Sequence, residues 1–589
     1  MNFFKSFLAS VLGTVVALIV IGVLLLVGIA GIATAVSSED AIQIEISDNS
    51  ILALDLDLPM YDNVGATQDF EEALGLGEEV LKFYDVALAI RKAAKDERIK
   101  GINLITQSPG MGWSQAQTLR KALEEFKAEG KFIYSYGDFY SQKGYYLASV
   151  SDSLFLHPMG GMEFKGLAAE VLYYKDFQDK YGFKMEVVRH GKYKSAVEPY
   201  LESEMSDANR TQISALLNGV WETVNAAISE GRNIPQEELN SIANELKANL
   251  PVQALKNGLV DALVYESDFE NKLRSAVGIK EDDRLKTIDV NRLIAGNGLK
   301  KKGVRDRIAV IYAQGPLVYG EGSENFIGQN VFLNAIEDAV KNRRVKAIVL
   351  RIDSPGGSAL SSDIIWNALV KAKKEKPLVV SMGNVAASGG YYLAVAGDEI
   401  YANDLTITGS IGVFATVPNI KGFSSSIGIK AQHVETHDNA LGYSIFEAPS
   451  GDFRASIKDG IEYVYANFKE RVAQGRGMSL EAVEAVAQGR VWTGKQAMEN
   501  GLIDGLGGMD AALAAAARLA EIEDYNLMTY PQIEPELEDF ISVMGPFGSI
   551  EEELFAAYPS EITAFLNSLS TDEARPNVEL RLPYTVKIK

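Results

Sequence analysis

The chain has 589 residues, 47% apolar and 23% charged, a globular make-up that excludes a disordered, collagen-like or polytopic membrane protein. Lys and Arg number 57 against 79 Asp and Glu, and the formal charge of −22 disfavours general nucleic-acid binding. With no Cys and four His, disulfides, thiol nucleophiles and thiolate metal sites are excluded and a His-rich metal site is disfavoured, so any chemistry falls to Ser, Thr, Lys, Tyr or carboxylates.

Residues 7–36 carry no charge. That run exceeds the roughly 20 residues a membrane-spanning helix needs, and also the apolar region of about 7–15 in a cleavable signal peptide. Lys5 precedes the run, and Glu39 and Asp40 follow it, which favours a cytoplasmic N-terminal side. Residues 1–40 are therefore expected to be a single-pass N-terminal transmembrane anchor, with the remainder outside the cytoplasm.

Two copies of one unit follow. At an offset of 246, residues 101–148 align without a gap to residues 347–394, with 16 of 48 positions identical. Ser108-Pro109-Gly110 matches Ser354-Pro355-Gly356, and Gly144-Tyr145-Tyr146-Leu147-Ala148 matches Gly390-Tyr391-Tyr392-Leu393-Ala394. Further on the offset drifts to 243, where Asn257-Gly258-Leu259 matches Asn500-Gly501-Leu502. The chain divides into an anchor (1–40), a first repeat (41–280), a polar linker (281–307), a second repeat (308–525) and a C-terminal extension (526–589).

Each repeat reads as α/β. Ile348-Val349-Leu350-Arg351-Ile352 is a strand ending in the turn Asp353-Ser354-Pro355-Gly356-Gly357. Residues 361–372 predict a helix, 377–381 a strand, and 391–396 a buried helix behind Ser388-Gly389-Gly390. Strand, turn and helix in alternation imply crossovers and a largely parallel sheet. Tyr145, Tyr146, Tyr391 and Tyr392 occur in both copies and are expected in the core.

The differences between the copies carry the chemistry. Ser388 has Gln142 as its counterpart, and Lys194, in Tyr193-Lys194-Ser195-Ala196, has Ala440. One half keeps a hydroxyl that could attack; the other keeps an amine that could take its proton. A serine hydroxyl is a weak nucleophile until a base removes its proton, and Lys serves as that base only when burial keeps it neutral. The turns Ser354-Pro355-Gly356-Gly357 and Ser388-Gly389-Gly390 are placed to offer backbone N–H groups to an oxyanion and room to a substrate, through Gly356, Gly357 and Gly389. Ser388 could instead merely cap a helix. Lys192 shares a face with Lys194 in an extended segment, so spacing does not separate the two.

These residues, with Thr408-Gly409-Ser410-Ile411-Gly412 and Gly489-Arg490-Val491-Trp492-Thr493-Gly494, resemble the signal peptide peptidase A (protease IV) family in its long, two-repeat form. The similarity runs from the N-terminal anchor to about Gly508. The resemblance implies two tandem ClpP/crotonase-like repeats and a Ser/Lys-dyad serine endopeptidase. Ser388 would be the nucleophile, Lys194 the general base, and Ser410 would orient the lysine. It further implies a homotetramer in the cytoplasmic (inner) membrane, its catalytic part periplasmic, degrading cleaved signal peptides and other apolar peptides without a cofactor. A Ser-His-Asp triad is disfavoured, because His433 and His437 lie in no recognised motif and His157 and His190 belong to the copy lacking the serine. A silent membrane-tethered peptide-binding scaffold on the same fold is the rival from another class; an acyl-CoA enzyme is disfavoured by the expected location.

Overall fold

The computed structural model describes residues 13, 46–64, 80–295, 301–323, 325–531 and 578–581. The apolar run of residues 7–36 lies outside the described residues, Gly13 apart. Among the described residues no helix is long and apolar enough to cross a membrane.

The apolar runs of each repeat form a sheet. In the first, the order is Ala262–Leu263, Ser153–Met162, Phe132–Tyr140, Ile99–Ile105, Ser50–Asp55 and Thr287–Asp289, all parallel. Ile51, Leu52, Leu54, Ile102 and Leu104 are wholly buried, as strands covered by helices on both faces require. The second sheet runs Val491–Thr493, Ile407–Gly409, Leu378–Ala387, Val345–Ser354, Arg307–Gln314 and Asn526–Tyr530, with Glu399–Ala402 also on Leu378–Ala387. The single strand Ser153–Met162 of the first copy thus corresponds to two short strands, Glu399–Ala402 and Ile407–Gly409, in the second.

The observed sheets extend past the boundaries drawn from sequence. Thr287–Asp289 lies within the span read as linker yet closes the edge of the first sheet. Asn526–Tyr530, at the start of the expected extension, closes the equivalent edge of the second. Leu378–Ala387 is also longer than the expected strand over 377–381, because Val385–Ala387 pair with Ile407–Gly409.

Duplication reaches the polar fastenings. Tyr145 Oη donates to Leu259 O at 3.0 Å, and Tyr391 Oη to Leu502 O at 2.8 Å. Asp261 accepts from Leu154 N and pairs with Arg232; Asp504 accepts from Ile400 N and pairs with Arg476. The long helices Asp207–Arg232 and Gly451–Arg476 are each N-capped by a serine, Ser206 or Ser450, and each ends in a left-handed residue, Asn233 or Gly477.

The repeats pack through buried polar contacts. Arg351 Nε donates to Asp62 Oδ2 at 2.8 Å, both side chains almost fully buried. Asn403 Nδ2 donates to Ser114 O and to Thr118 Oγ1, and Arg91 pairs with Asp510. A third sheet mixes the two halves. Lys184–His190 of the first repeat runs antiparallel to Val413–Asn419 of the second, from Lys184 opposite Asn419 to His190 opposite Val413. Neither strand has a counterpart in the other copy: residues 430–436 and 167–173 form no strand. The same sheet continues through Val578–Arg581, Gly356–Ser358, Leu317–Val318, Phe326–Gly328 and Gly322–Ser323.

Candidate active site

The strand Leu378–Ala387 delivers Ser388 straight to the start of the helix Gly389–Ala394. The turn is tight enough to hold Ser388 at φ 55°, ψ −114°, a conformation costly for a residue with a Cβ. Ser388 N donates to Gly409 O at 2.9 Å, which ties down the strained turn. Although Ser388 occupies the N-cap position, its side chain makes no cap hydrogen bond. Behind it the glycines are steric requirements: a Cβ on Gly389 would stand 2.7 Å from Ser362 Oγ and 3.2 Å from Gly356 Cα, and one on Gly390 would stand 2.9 Å from Ser354 O.

Lys194 arrives from the first repeat at the end of the exchanged strand, after a turn at Gly191 with φ 99°. Tyr193 N donates to Gln488 O at 3.0 Å, and Gln212 spans the halves by donating to Tyr193 O and accepting from Val491 N. Gly489, at φ 79°, leaves the space the lysine backbone fills; a Cβ there would lie 2.7 Å from Lys194 Cα, Cβ and N. Lys194 is wholly buried while Lys192 is exposed, so packing separates the two lysines that spacing could not.

Lys194 Nζ lies 2.9 Å from Ser388 Oγ, 3.1 Å from Ser410 Oγ and 3.3 Å from Ser410 O. Burial without a balancing carboxylate holds its amine well below the ordinary lysine range. A neutral amine has two N–H donors and one lone pair. With the donors on the two Ser410 oxygens, the lone pair faces Ser388 and can receive its hydroxyl proton. Ser410 is itself fixed: it sits at φ 51°, its N donates to Arg490 O at 2.7 Å, and its Oγ donates to Gly489 O at 3.4 Å.

Gly356 and Gly357 lie beside this cluster in the strand Gly356–Ser358. Gly356 N donates to Ser354 Oγ at 3.2 Å, so that amide is already engaged. Gly389 N, the first amide of its helix, belongs to the set that has no partner within the helix. Asp353 joins the two turns: its carboxylate accepts from Val385 N at 2.9 Å and from Asn384 Nδ2 at 3.1 Å, and burial pushes its pKa up.

The histidines have other partners. His190 contacts Glu462 at 2.8 Å and stacks on Tyr465, His437 contacts Thr436, His433 lies 3.9 Å from Glu435, and His157 accepts from Met159 N. Among the described residues no three His, Asp or Glu side chains are grouped to hold a metal ion. Residue patterns did not reveal the part played by Gly489, which lies against Lys194 and accepts from Ser410 Oγ, or by Arg490, whose carbonyl accepts from Ser410 N; the signal available was the Gly-Arg pair itself, within its motif.

The family profile of peptidase family S49 matches residues 125–280 and 370–523, one block in each repeat. The chain is 36% identical over 504 residues to Protease 4 of Salmonella typhi, covering 83% of this chain and 80% of that protein. Protease 4 of Haemophilus influenzae is 34% identical over 492 residues, 80% of each chain. The chloroplastic serine protease SPPA of Arabidopsis thaliana is 31% identical over 468 residues, 77% of this chain and 68% of that one. With a serine, a buried amine and a second serine brought together where the repeats meet, and with matches of this extent, the chain belongs to peptidase family S49 and is a serine peptidase.

Proposed function

We propose that Ser388 and Lys194 form a catalytic dyad for peptide-bond hydrolysis, with Ser410 orienting the lysine. The observation that carries this reading is the 2.9 Å approach of a fully buried Lys194 Nζ to Ser388 Oγ. In acylation, Ser388 Oγ bonds to the scissile carbonyl carbon as its proton passes to Nζ. Gly389 N, which has no partner within its helix, is the donor proposed for the developing oxyanion, with Gly357 beside it, since Gly356 N is held by Ser354 Oγ. Lys194 then gives the proton to the departing amine as the C–N bond breaks. Water, losing its proton to the neutral amine, attacks the ester; the proton returns to Ser388 Oγ as the acid product leaves.

The substrates we propose are apolar peptides, cleaved signal peptides among them, met at the extracytoplasmic face of a membrane that residues 7–36 anchor. The uncharged length of that run, with Lys5 before it, supports this part. Replacing Ser388 or Lys194 by Ala should each lower hydrolysis of an apolar peptide by about a thousandfold or more, with circular dichroism unchanged. Wild-type activity in either folded variant would sink the dyad. Deleting residues 1–40 should release the protein from sedimenting membranes; continued sedimentation would remove the anchor from the proposal.

A further inference from the structure

The strand Val578–Arg581 lies between two strand edges that both belong to the candidate site. On one side it runs antiparallel to Gly356–Ser358, with Arg581 opposite Gly356, Leu580 opposite Gly357 and Glu579 opposite Ser358. On the other it runs antiparallel to Val413–Asn419, with Glu579 opposite Phe414 and Val578 opposite Ala415. Take that segment away and the two edges face each other across two inter-strand spacings, about 9.5 Å, a slot one strand wide. Both edges would then carry backbone N–H and C=O groups without partners, which an extended peptide of any sequence can satisfy.

The slot passes directly over the reacting groups. Gly389, next to Ser388, is close enough to Gly356 that an added Cβ would stand 3.2 Å from its Cα. The Phe414 ring on the other wall is centred 5.8 Å from Lys194 Nζ. An extended chain paired with both walls is therefore presented to Ser388 near the residue opposite Gly356, and in this structure that residue is Arg581. The local sequence suits the position: Val578-Glu579-Leu580-Arg581 alternates apolar and charged residues at the strand period.

We propose that residues 578–581 occupy the peptide-binding slot as an intramolecular competitor, so that the C-terminal segment is an autoinhibitory strand which a substrate must displace. This rests on the reading of the Ser388 region as the hydrolytic site. Tethering gives the segment an effective concentration of order millimolar, so even weak pairing competes with dilute substrate.

The full chain is compared with one ending at residue 577 and with a full-length Glu579→Pro, Arg581→Pro variant, whose prolines cannot complete the ladder. For a fluorogenic apolar peptide, both changes should lower KM by about tenfold and leave kcat unchanged, as loss of a tethered competitor requires. A synthetic peptide of residues 578–589 added to the shortened chain should restore the higher KM competitively. In a Ser388→Ala background, where cleavage is absent, the fluorescein-labelled peptide should bind the shortened chain and not the full-length one. Hydrogen exchange on full-length Ser388→Ala needs no altered tail: amides of residues 578–581 should be protected, and lose protection when excess substrate peptide is added. Unchanged KM in both tail variants, equal peptide binding by both Ser388→Ala chains, or tail amides indifferent to substrate would each overturn the proposal. Peptide binding as expected with no hydrolysis by any chain would leave the occupied slot standing and remove the hydrolytic reading instead.

Discussion

The same strand-to-helix turn occurs twice, and the two versions have opposite characters. In the second repeat it holds Ser388 at positive φ, with a side chain that caps nothing and faces Lys194. In the first, Ser141 takes the N-cap at φ −65° and accepts from Gly144 N at 3.1 Å, so the turn is relaxed and capped. Gln142, the counterpart of Ser388, spends its side chain on its own half: Oε1 accepts from Lys165 N and Gly166 N, and Nε2 donates to Gly166 O. Gly166 is the counterpart of Gly412, the residue that lies against Lys194 Cδ in the other half. Strain and an uncapped hydroxyl mark the turn proposed to be catalytic; internal satisfaction marks its counterpart.

The largest test of this contrast is pH. Lys194 can accept a proton only when neutral, so protonation on the acid side removes activity. Because burial lowers its pKa, kcat/KM should rise about tenfold per pH unit and level off below the free-lysine value of about 10.4. A profile flat from acid to alkaline pH would separate the lysine from the reaction. The next test is Gly489→Ala, which forces a Cβ to 2.7 Å from the Lys194 backbone at a left-handed φ. A displacement of about 1 Å at a reacting group costs up to about a hundredfold, so kcat should fall by ten- to a hundredfold with little change in KM. Wild-type kcat would mean that the lysine has more freedom than its packing allows. The smallest effect is expected in the first repeat. Gln142→Ser should leave hydrolysis unchanged and restore none in a Ser388→Ala chain, since the counterpart of the lysine is the exposed Ala440. It should lower the melting temperature modestly, because the part-buried amides of Lys165 and Gly166 lose the oxygen that accepts from them. Activity rescued by Gln142→Ser would show a second working site and break the comparison.

Much of this was legible in the chain because duplication supplied its own control. Aligning the copies exposed the reciprocal loss of Ser388 and Lys194, and the described geometry puts the two groups in contact. The tyrosine pairs expected in the core are there, with Tyr145 and Tyr391 in matching hydrogen bonds. What escaped was long-range or weakly patterned. Arg351 announced a buried partner by standing in an apolar strand, but nothing local could name Asp62, 289 positions away. Thr287–Asp289 buries only its central Ile288, which is too little periodicity to read as a strand. The exchange of Lys184–His190 for a partner in the other half has no trace in the repeat alignment, because each exchanged strand lacks a counterpart in the other copy.

That exchanged pair of strands makes the molecule behave as a heterodimer whose two subunits share one backbone. An amine from one half meets a hydroxyl from the other without a bimolecular encounter, so dilution of the chain does not separate them. The same arrangement ties the proposed dyad to the exchanged sheet: a change that loosens that sheet should draw Lys194 away from Ser388, though it touches neither side chain.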